Sequence, residues 1–266
     1  MVTRPLRALT LLAALGILSA GLTGCAAPAG TAPPASASAD ILEGGITVFA
    51  AASLTTTFTE LAEAFEAQHS GTTITLNFSG SSDLVTQITE GAPADVFASA
   101  DITNMTKLTD AGLQTGASVD FATNALEIAV PPGNPAGIAD FADLATPGLK
   151  LVVCAPEVPC GSATVASERA AGVTLTPVSE ESSVTDVLGK ITSGQADAGL
   201  VYVTDVTAAG DAVEGVEFAE SVEVVNTYPI VALQDSAAPD LAQAFIEYVT
   251  GSAGRSVLAA AGFGAP

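Results

Sequence analysis

Positive charge is what this sequence has least of. Its 266 residues carry seven Lys+Arg against 29 Asp+Glu, a formal net charge of −22. Two of the seven, Arg4 and Arg7, lie in the N-terminal leader, so five remain beyond it and the formal charge there is −24. That balance excludes a nucleic-acid partner, because a phosphate backbone requires a basic footprint. Histidine is scarcer still. The single one, His69, sits at the polar end of a helical pattern, which leaves little for a metal site and no base for a serine nucleophile. No Gly-x-Ser-x-Gly elbow surrounds Ser53 or Ser81. The chain is therefore not expected to be an enzyme, and no cofactor is expected. Internal repeats are absent as well.

The leader has a basic start at Arg4 and Arg7, an apolar run from Leu9 to Leu22, and then Leu22-Thr23-Gly24-Cys25. The run is too short and wrongly flanked to span a membrane, and reads as a secretory signal over residues 1–24. Cys25 after Leu-Thr-Gly resembles the lipobox of bacterial lipoproteins, so Cys25 is the expected lipidation site. After Cys25, residues 26–39 are Ala, Pro, Ser, Gly and Thr and lead to Asp40, a composition by which 25–40 reads as a lipid-anchored flexible tether. The expected location is extracytoplasmic, anchored to the membrane by lipid alone. In that oxidising compartment Cys154 and Cys160 remain as an even pair bracketing a short loop, and a disulfide is expected. The alternatives are two free thiols or a metal pair.

Beyond residue 40, short apolar runs alternate with helical patterns. Strands are expected at 46–50, 73–78, 95–99, 125–131, 150–154, 197–203 and 222–234. Helices are expected at 54–68, 82–90, 103–111, 162–171, 184–193, 239–250 and 252–261. Such alternation predicts an α/β fold with mainly parallel sheets, whose ligands sit at strand carboxyl ends beside helix N-termini.

Four of those helix starts are alike. Val48-Phe49-Ala50-Ala51-Ala52-Ser53-Leu54 carries a strand into a helix, with Ser53 at the junction. Asn77-Phe78-Ser79-Gly80-Ser81-Ser82-Asp83 does the same, with Ser81 or Asp83 free to cap. Val158-Pro159-Cys160-Gly161 and Glu180-Glu181-Ser182-Ser183-Val184 provide two more, Ser182 or Ser183 capping the last. A hydroxyl at such a place usually caps its helix. Four neutral, N–H-rich starts in one chain instead point to a cleft for a small anion. Tyr202 ends a buried apolar strand and adds a phenolic donor, although packing alone would also explain it.

The stretches 48–54, 78–82 and 158–161, with Gly91-Ala92-Pro93-Ala94-Asp95-Val96-Phe97, Leu200-Val201-Tyr202 and Tyr228-Pro229-Ile230-Val231, resemble the molybdate-binding proteins of ABC-type importers, the place of Val184 resting on its distance from Tyr202. That family has the type II periplasmic-binding-protein fold. The resemblance implies two lobes, each a mainly parallel sheet flanked by helices, joined by two crossover strands. Lobe I would comprise 41–123 and 226–266, and lobe II 124–225. It implies an oxyanion held by Ser53, Ser81, Cys160, Val184 and Tyr202, the third and fourth through main-chain N–H groups. Any metal would enter only inside the oxyanion. It further implies a monomer delivering molybdate or tungstate to a membrane permease and ATPase. Cys160 replaces a small residue common in the family, and Asp83 an uncharged one. Asp83 is expected to cap its helix and face away.

Chemistry supports the same ligand. Molybdate at neutral pH is an unprotonated dianion, so every oxygen accepts and a donor-only pocket satisfies all of them. Hydrogen phosphate would leave its own proton unpaired there, at about 1–3 kcal/mol. Sulfate differs mainly in size, and tungstate hardly at all. The alternatives are a binding protein for sulfate or phosphate, or a non-transport anion sensor or adhesion module on the same fold.

Overall fold

Strand β1 (Gly44–Ala51) shows how the sequence pattern becomes architecture. Its alternate side chains point to opposite faces of a sheet. Ile46, Val48 and Ala50 enter one core cluster, and Phe49 enters another. The neighbouring strands β3 (Val96–Ala98) and β9 (Val225–Leu233) keep the same alternation, with Val96, Ala98, Tyr228 and Ile230 on the first face and Phe97 and Val231 on the second. A sheet covered on both faces follows, which is why these strands read as continuous apolar runs.

The computed structural model describes residues 42–266. The signal 1–24, Cys25 and the tether 25–40 lie outside the described residues. The remaining strands are β2 (Thr72–Ser79), β4 (Gln114–Val130), β5 (Leu151–Cys154), β6 (Ser179–Glu181), β7 (Ala198–Tyr202) and β8 (Glu214–Val216). The helices are α1 (Thr55–Gln68), α2 (Ser81–Thr89), α3 (Ile102–Asp110), α4 (Pro159–Ala171), α5 (Val184–Thr192), α6 (Val203–Ala209), α7 (Pro239–Thr250) and α8 (Ser252–Ala260).

The strands form a nine-stranded sheet in the order β2-β1-β3-β9-β4-β7-β5-β6, with β8 on β4. β2, β1 and β3 are mutually parallel, as are β7, β5 and β6. Between these two parallel sets run β9 and β4, antiparallel to each other and to their outer neighbours. β4 pairs with β9 as far as Ala125 and with β7 from Leu126 onward. It therefore begins in one lobe and ends in the other, and the fold is the expected two-lobed α/β one with two crossover strands. One core cluster fills the second lobe, from Leu126 to Phe218, and takes in Ala52 of the first. In the first lobe, α1, α7 and α8 cover one face, where Phe245 meets Phe65 edge to face at 5.5 Å.

Several elements depart from the sequence reading. β4 starts at Gln114 rather than 125, because its first half is almost wholly exposed and carries no apolar pattern. α6, β6 and β8 were not expected. α6 is short and continues an apolar strand, and β6 and β8 are three-residue, largely polar strands. α4 starts earlier, with Pro159 as its first residue, where its fixed φ suits a helix and its missing N–H costs nothing. The Pro93-Ala94-Asp95 stretch has a structural role. The Asp95 carboxylate accepts from the Thr47 N–H at 2.7 Å and the Ser236 hydroxyl at 2.6 Å, tying β1 to the connection that leads into α7. Among the described residues no helix is long and apolar enough to cross a membrane.

Candidate functional site

Where the lobes meet, the starts of four helical segments converge. β1 ends in a 3-10 turn, Ala52–Leu54, that carries Ser53 and feeds α1. α2 begins at Ser81, α4 places Cys160 second, and α5 begins at Val184. The first N–H groups of a helix have no partner inside it, and they carry the positive end of its dipole. Tyr202 closes the ring as the last residue of β7. Ser53, Ser81, Cys160, Val184 and Tyr202 thus border one cavity of about 10 Å³, together with Gly80, Ala100, Pro159 and a few small apolar neighbours. Among the described residues no Lys, Arg, His, Asp or Glu borders it. A space of that size is about that of one water, far below the several hundred Å³ of a site for a sugar, amino acid or peptide.

The hydroxyls are not spent on capping. Ser53 Oγ lies 3.0 Å from the Tyr228 hydroxyl and makes no cap bond. Ser81 Oγ accepts from the Ala100 N–H at 3.0 Å. Tyr202 Oη accepts from Asn226 Nδ2 at 3.0 Å. Burial raises the Tyr202 hydroxyl well above the usual tyrosine value, with further contributions from Tyr228, Asp101 and Asp205, so it keeps its proton at any physiological pH.

One expectation fails here. Asp83 does not cap α2. Gly80 holds the N-cap position and no side chain caps the helix, while Asp83 makes only a long 3.5 Å contact with the Ser79 hydroxyl. The reason is that α2 begins at Ser81, which puts Asp83 third in the helix and past the capping position; that position falls to Gly80, whose Cα sits against the second lobe. A Cβ built there would lie 2.0 Å from the Ser182 carbonyl oxygen. Asp83 is absent from the cavity wall. The last start behaves as expected, with Ser183 accepting from the Asp186 N–H at 3.2 Å.

Cys154 and Cys160 form a disulfide, with Cα atoms 5.6 Å apart. It ties the end of β5 to the first turn of α4, so the Cys160 N–H is held from both sides. Gly161 lets the intervening loop close down, since a Cβ there would overlap the Ala155 carbonyl at 1.8 Å. Replacing both cysteines by serine is expected to lower stability by about 2 kcal/mol, from the loop entropy returned to the unfolded chain. Chemical denaturation with and without reductant checks this, because reductant should destabilise only the wild-type protein.

Residues 46–264 match the family described as bacterial extracellular solute-binding protein. The chain belongs to that family. This solute-binding protein is 50% identical over 252 residues to the molybdate-binding protein ModA of Mycobacterium tuberculosis, covering 94% of this chain and 95% of that one. Its fold matches the periplasmic molybdate-binding protein of Azotobacter vinelandii with a TM-score of 0.72 at 23% identity, over 83% of this chain and 99% of the other. It also matches the sulfate-binding protein SubI of M. tuberculosis, with a TM-score of 0.70 at 20% identity over 83% and 86%. The type II periplasmic-binding-protein fold is thereby established, and it accommodates both oxyanions. Discrimination must lie in the site.

Several participants were missed by sequence reading. Ala100, Asn124, Asn226 and Tyr228 all contact ring residues or each other from behind, yet local sequence assigns none of them that role. Tyr228 belongs to a quoted stretch, but its hydroxyl's contact with Ser53 spans 175 positions.

Proposed function

We propose that this solute-binding protein captures molybdate, or tungstate, outside the cytoplasm and delivers it to an ABC importer. The observation that carries the reading is that Ser53, Ser81 and Tyr202 border one small cavity together with Cys160 and Val184 from the first turns of α4 and α5, and that no charged side chain is in its lining. Neutral donors spread over several helix ends stabilise a proton-free dianion without a counter-charge. The half-identical relative named for molybdate binding supports the same ligand. Cys160 and Val184 contribute through main-chain N–H groups, so the cysteine side chain, engaged in its disulfide, is not an obstacle. The protein acts as a binder and not as an enzyme.

The lobes exchange at Asn124 and Asn226, which face each other across β4 and β9. Ligand closes them by a hinge motion there. Cys25 anchors the mature chain by lipid, and the permease and ATPase of the importer are its membrane partners. The high acidity slows encounter with a dianion at low salt, while leaving the closed site's affinity to its local donors.

Calorimetric titration of residues 41–266 with molybdate, tungstate, sulfate and phosphate tests the reading. Tight binding of the first two, with little heat from the others, is expected. Ser53→Ala, Ser81→Ala and Tyr202→Phe should each weaken molybdate binding about tenfold to a hundredfold, the worth of one hydrogen bond to a charged group. Wild-type binding by all three variants would show that the pocket is elsewhere, and a preference for sulfate or phosphate would keep the fold and change the ligand.

A further inference from the structure

Behind the site, two buried asparagines face each other across the crossover strands, Asn124 on β4 and Asn226 on β9. Neither borders the small cavity, and the binding role does not use them directly. Their orientation is fixed by partners that permit one reading only. Asn226 Nδ2 lies 2.9 Å from the Ala100 carbonyl and 3.4 Å from the Pro159 carbonyl, and a carbonyl can only accept. The nitrogen must face them. The same nitrogen lies 3.0 Å from Tyr202 Oη. An amide nitrogen has no acceptor capacity, so the tyrosine oxygen accepts there and its proton points away from Asn226.

Asn124 works in the same sense. Its Oδ1 takes the Ala125 N–H at 3.1 Å, which turns Nδ2 toward Thr204 Oγ1 at 2.8 Å and Tyr228 Oη at a longer 3.5 Å. The Tyr228 hydroxyl is in turn 3.0 Å from Ser53 Oγ. Ser81 Oγ receives the Ala100 N–H directly. Ser81 and Tyr202 thus take a hydrogen bond from behind from groups that can only donate, while Ser53 faces the Tyr228 hydroxyl, from which either oxygen can donate. The Tyr202 proton has two places to go, the Tyr228 hydroxyl or the cleft. An oxyanion in the cleft is the stronger acceptor of the two and takes that proton.

We propose that Asn226 is a positioning residue for selectivity. By donating to Tyr202 Oη it holds that hydroxyl as a donor toward the ligand, and so makes the pocket reject oxyanions that carry a proton. The inference rests on the proposed oxyanion site. Without the amide, the Ala100 and Pro159 carbonyls lose their donor and stand behind Tyr202 together with the Tyr228 hydroxyl. The hydroxyl then turns its proton back to them and presents a lone pair to the cleft. A lone pair repels molybdate and sulfate and accepts the proton of hydrogen phosphate.

The test is titration of wild type, Asn226→Ala and Asn226→Asp with molybdate, sulfate and phosphate at pH 7.5, each also in a Tyr202→Phe background. Asn226→Ala is expected to weaken molybdate and sulfate together, by about tenfold or more, while phosphate weakens less or improves, so the molybdate-to-phosphate ratio contracts about tenfold. In the Tyr202→Phe background the same substitution should change the ratio less than about twofold, as a coupling carried by that hydroxyl requires. Asn226→Asp retains the side chain's size but replaces the amide donor, and is read the same way should the alanine variant melt too low to titrate. Parallel losses for all three anions, or an undiminished effect without the Tyr202 hydroxyl, would reduce Asn226 to a structural brace and overturn the inference. Wild-type protein that binds no oxyanion overturns the functional reading itself, a different result from a wild type that binds and variants that keep its ratio.

Discussion

Gly80→Ala is expected to weaken molybdate binding at least about a hundredfold, and to leave the melting temperature of the ligand-free protein within a few degrees of wild type. Gly80 precedes α2 with φ −59° and ψ 141°, a backbone conformation open to any residue. Its requirement is one of space. A Cβ there would meet the Ser182 carbonyl oxygen at 2.0 Å and Val158 Cγ1 at 3.5 Å, both contributed by the opposite lobe. Ordinary contact needs more than an ångström beyond the shorter of these distances, and a main-chain carbonyl in a packed turn cannot give that much. The lobes must part instead. Donors of the two lobes then no longer reach one small ion together, because a hydrogen bond lengthened by an ångström is lost. Losing two bonds to a charged ligand, at about 1.5–3 kcal/mol each, gives the stated factor.

The ligand-free protein is spared because an opened hinge accommodates the methyl group. Binding and melting are therefore measured on the same preparation. A variant that melts far lower without ligand would place the cost in folding. One that binds within a few-fold of wild type would show that the ligand is held without the Gly80–Ser182 approach.

The legible parts of this molecule are those where one residue's local surroundings decide its role. β1 and β7 are short apolar runs because both faces of their sheets are covered, and the sequence shows this without knowing the partners. The helix starts at Ser81 and Val184 follow from Gly/Ser turns that end one pattern and begin another. The disulfide could be anticipated because its halves are six positions apart in an oxidising compartment. Illegible parts depend on distant packing. Half of β4 is exposed ribbon whose only signature is its pairing with β9. Asp83 looks like a cap in sequence, but α2 begins at Ser81 and the capping position falls to Gly80, against the second lobe's backbone. Asn124 and Asn226, which donate to the Tyr228 and Tyr202 hydroxyls, meet only once the crossover strands pair.

Asp205→Asn is the substitution expected to stabilise most, by up to about 4 kcal/mol above pH 7. Asp205 lies in the first turn of α6, buried, with Oδ2 accepting the Tyr202 N–H at 2.9 Å. It also borders a larger crevice of about 310 Å³ between the start of α1 and the helices α5 and α6, whose lining contains no cation. Burial pushes its carboxyl up from 3.8 to about 7, against the opposing pull of the Tyr202 N–H. In the unfolded chain the group ionises near its ordinary value. Between about pH 4 and 7 the folded protein therefore holds a proton that the unfolded one has released, and stability falls as pH rises through that window. Above it the carboxylate is charged in both states, and the penalty stands in full. Asparagine keeps an oxygen for the Tyr202 N–H and carries no charge, so the gain in melting temperature should be large at pH 8 and small at pH 4. The same charge opposes a dianion beside Tyr202. Wild-type affinity for molybdate should accordingly fall several-fold from pH 6 to pH 8, and the variant's profile should stay flat. Melting and binding curves that run parallel for the two proteins over that range would mean that Asp205 is already ionised without penalty in the fold, with its charge answered from the crevice.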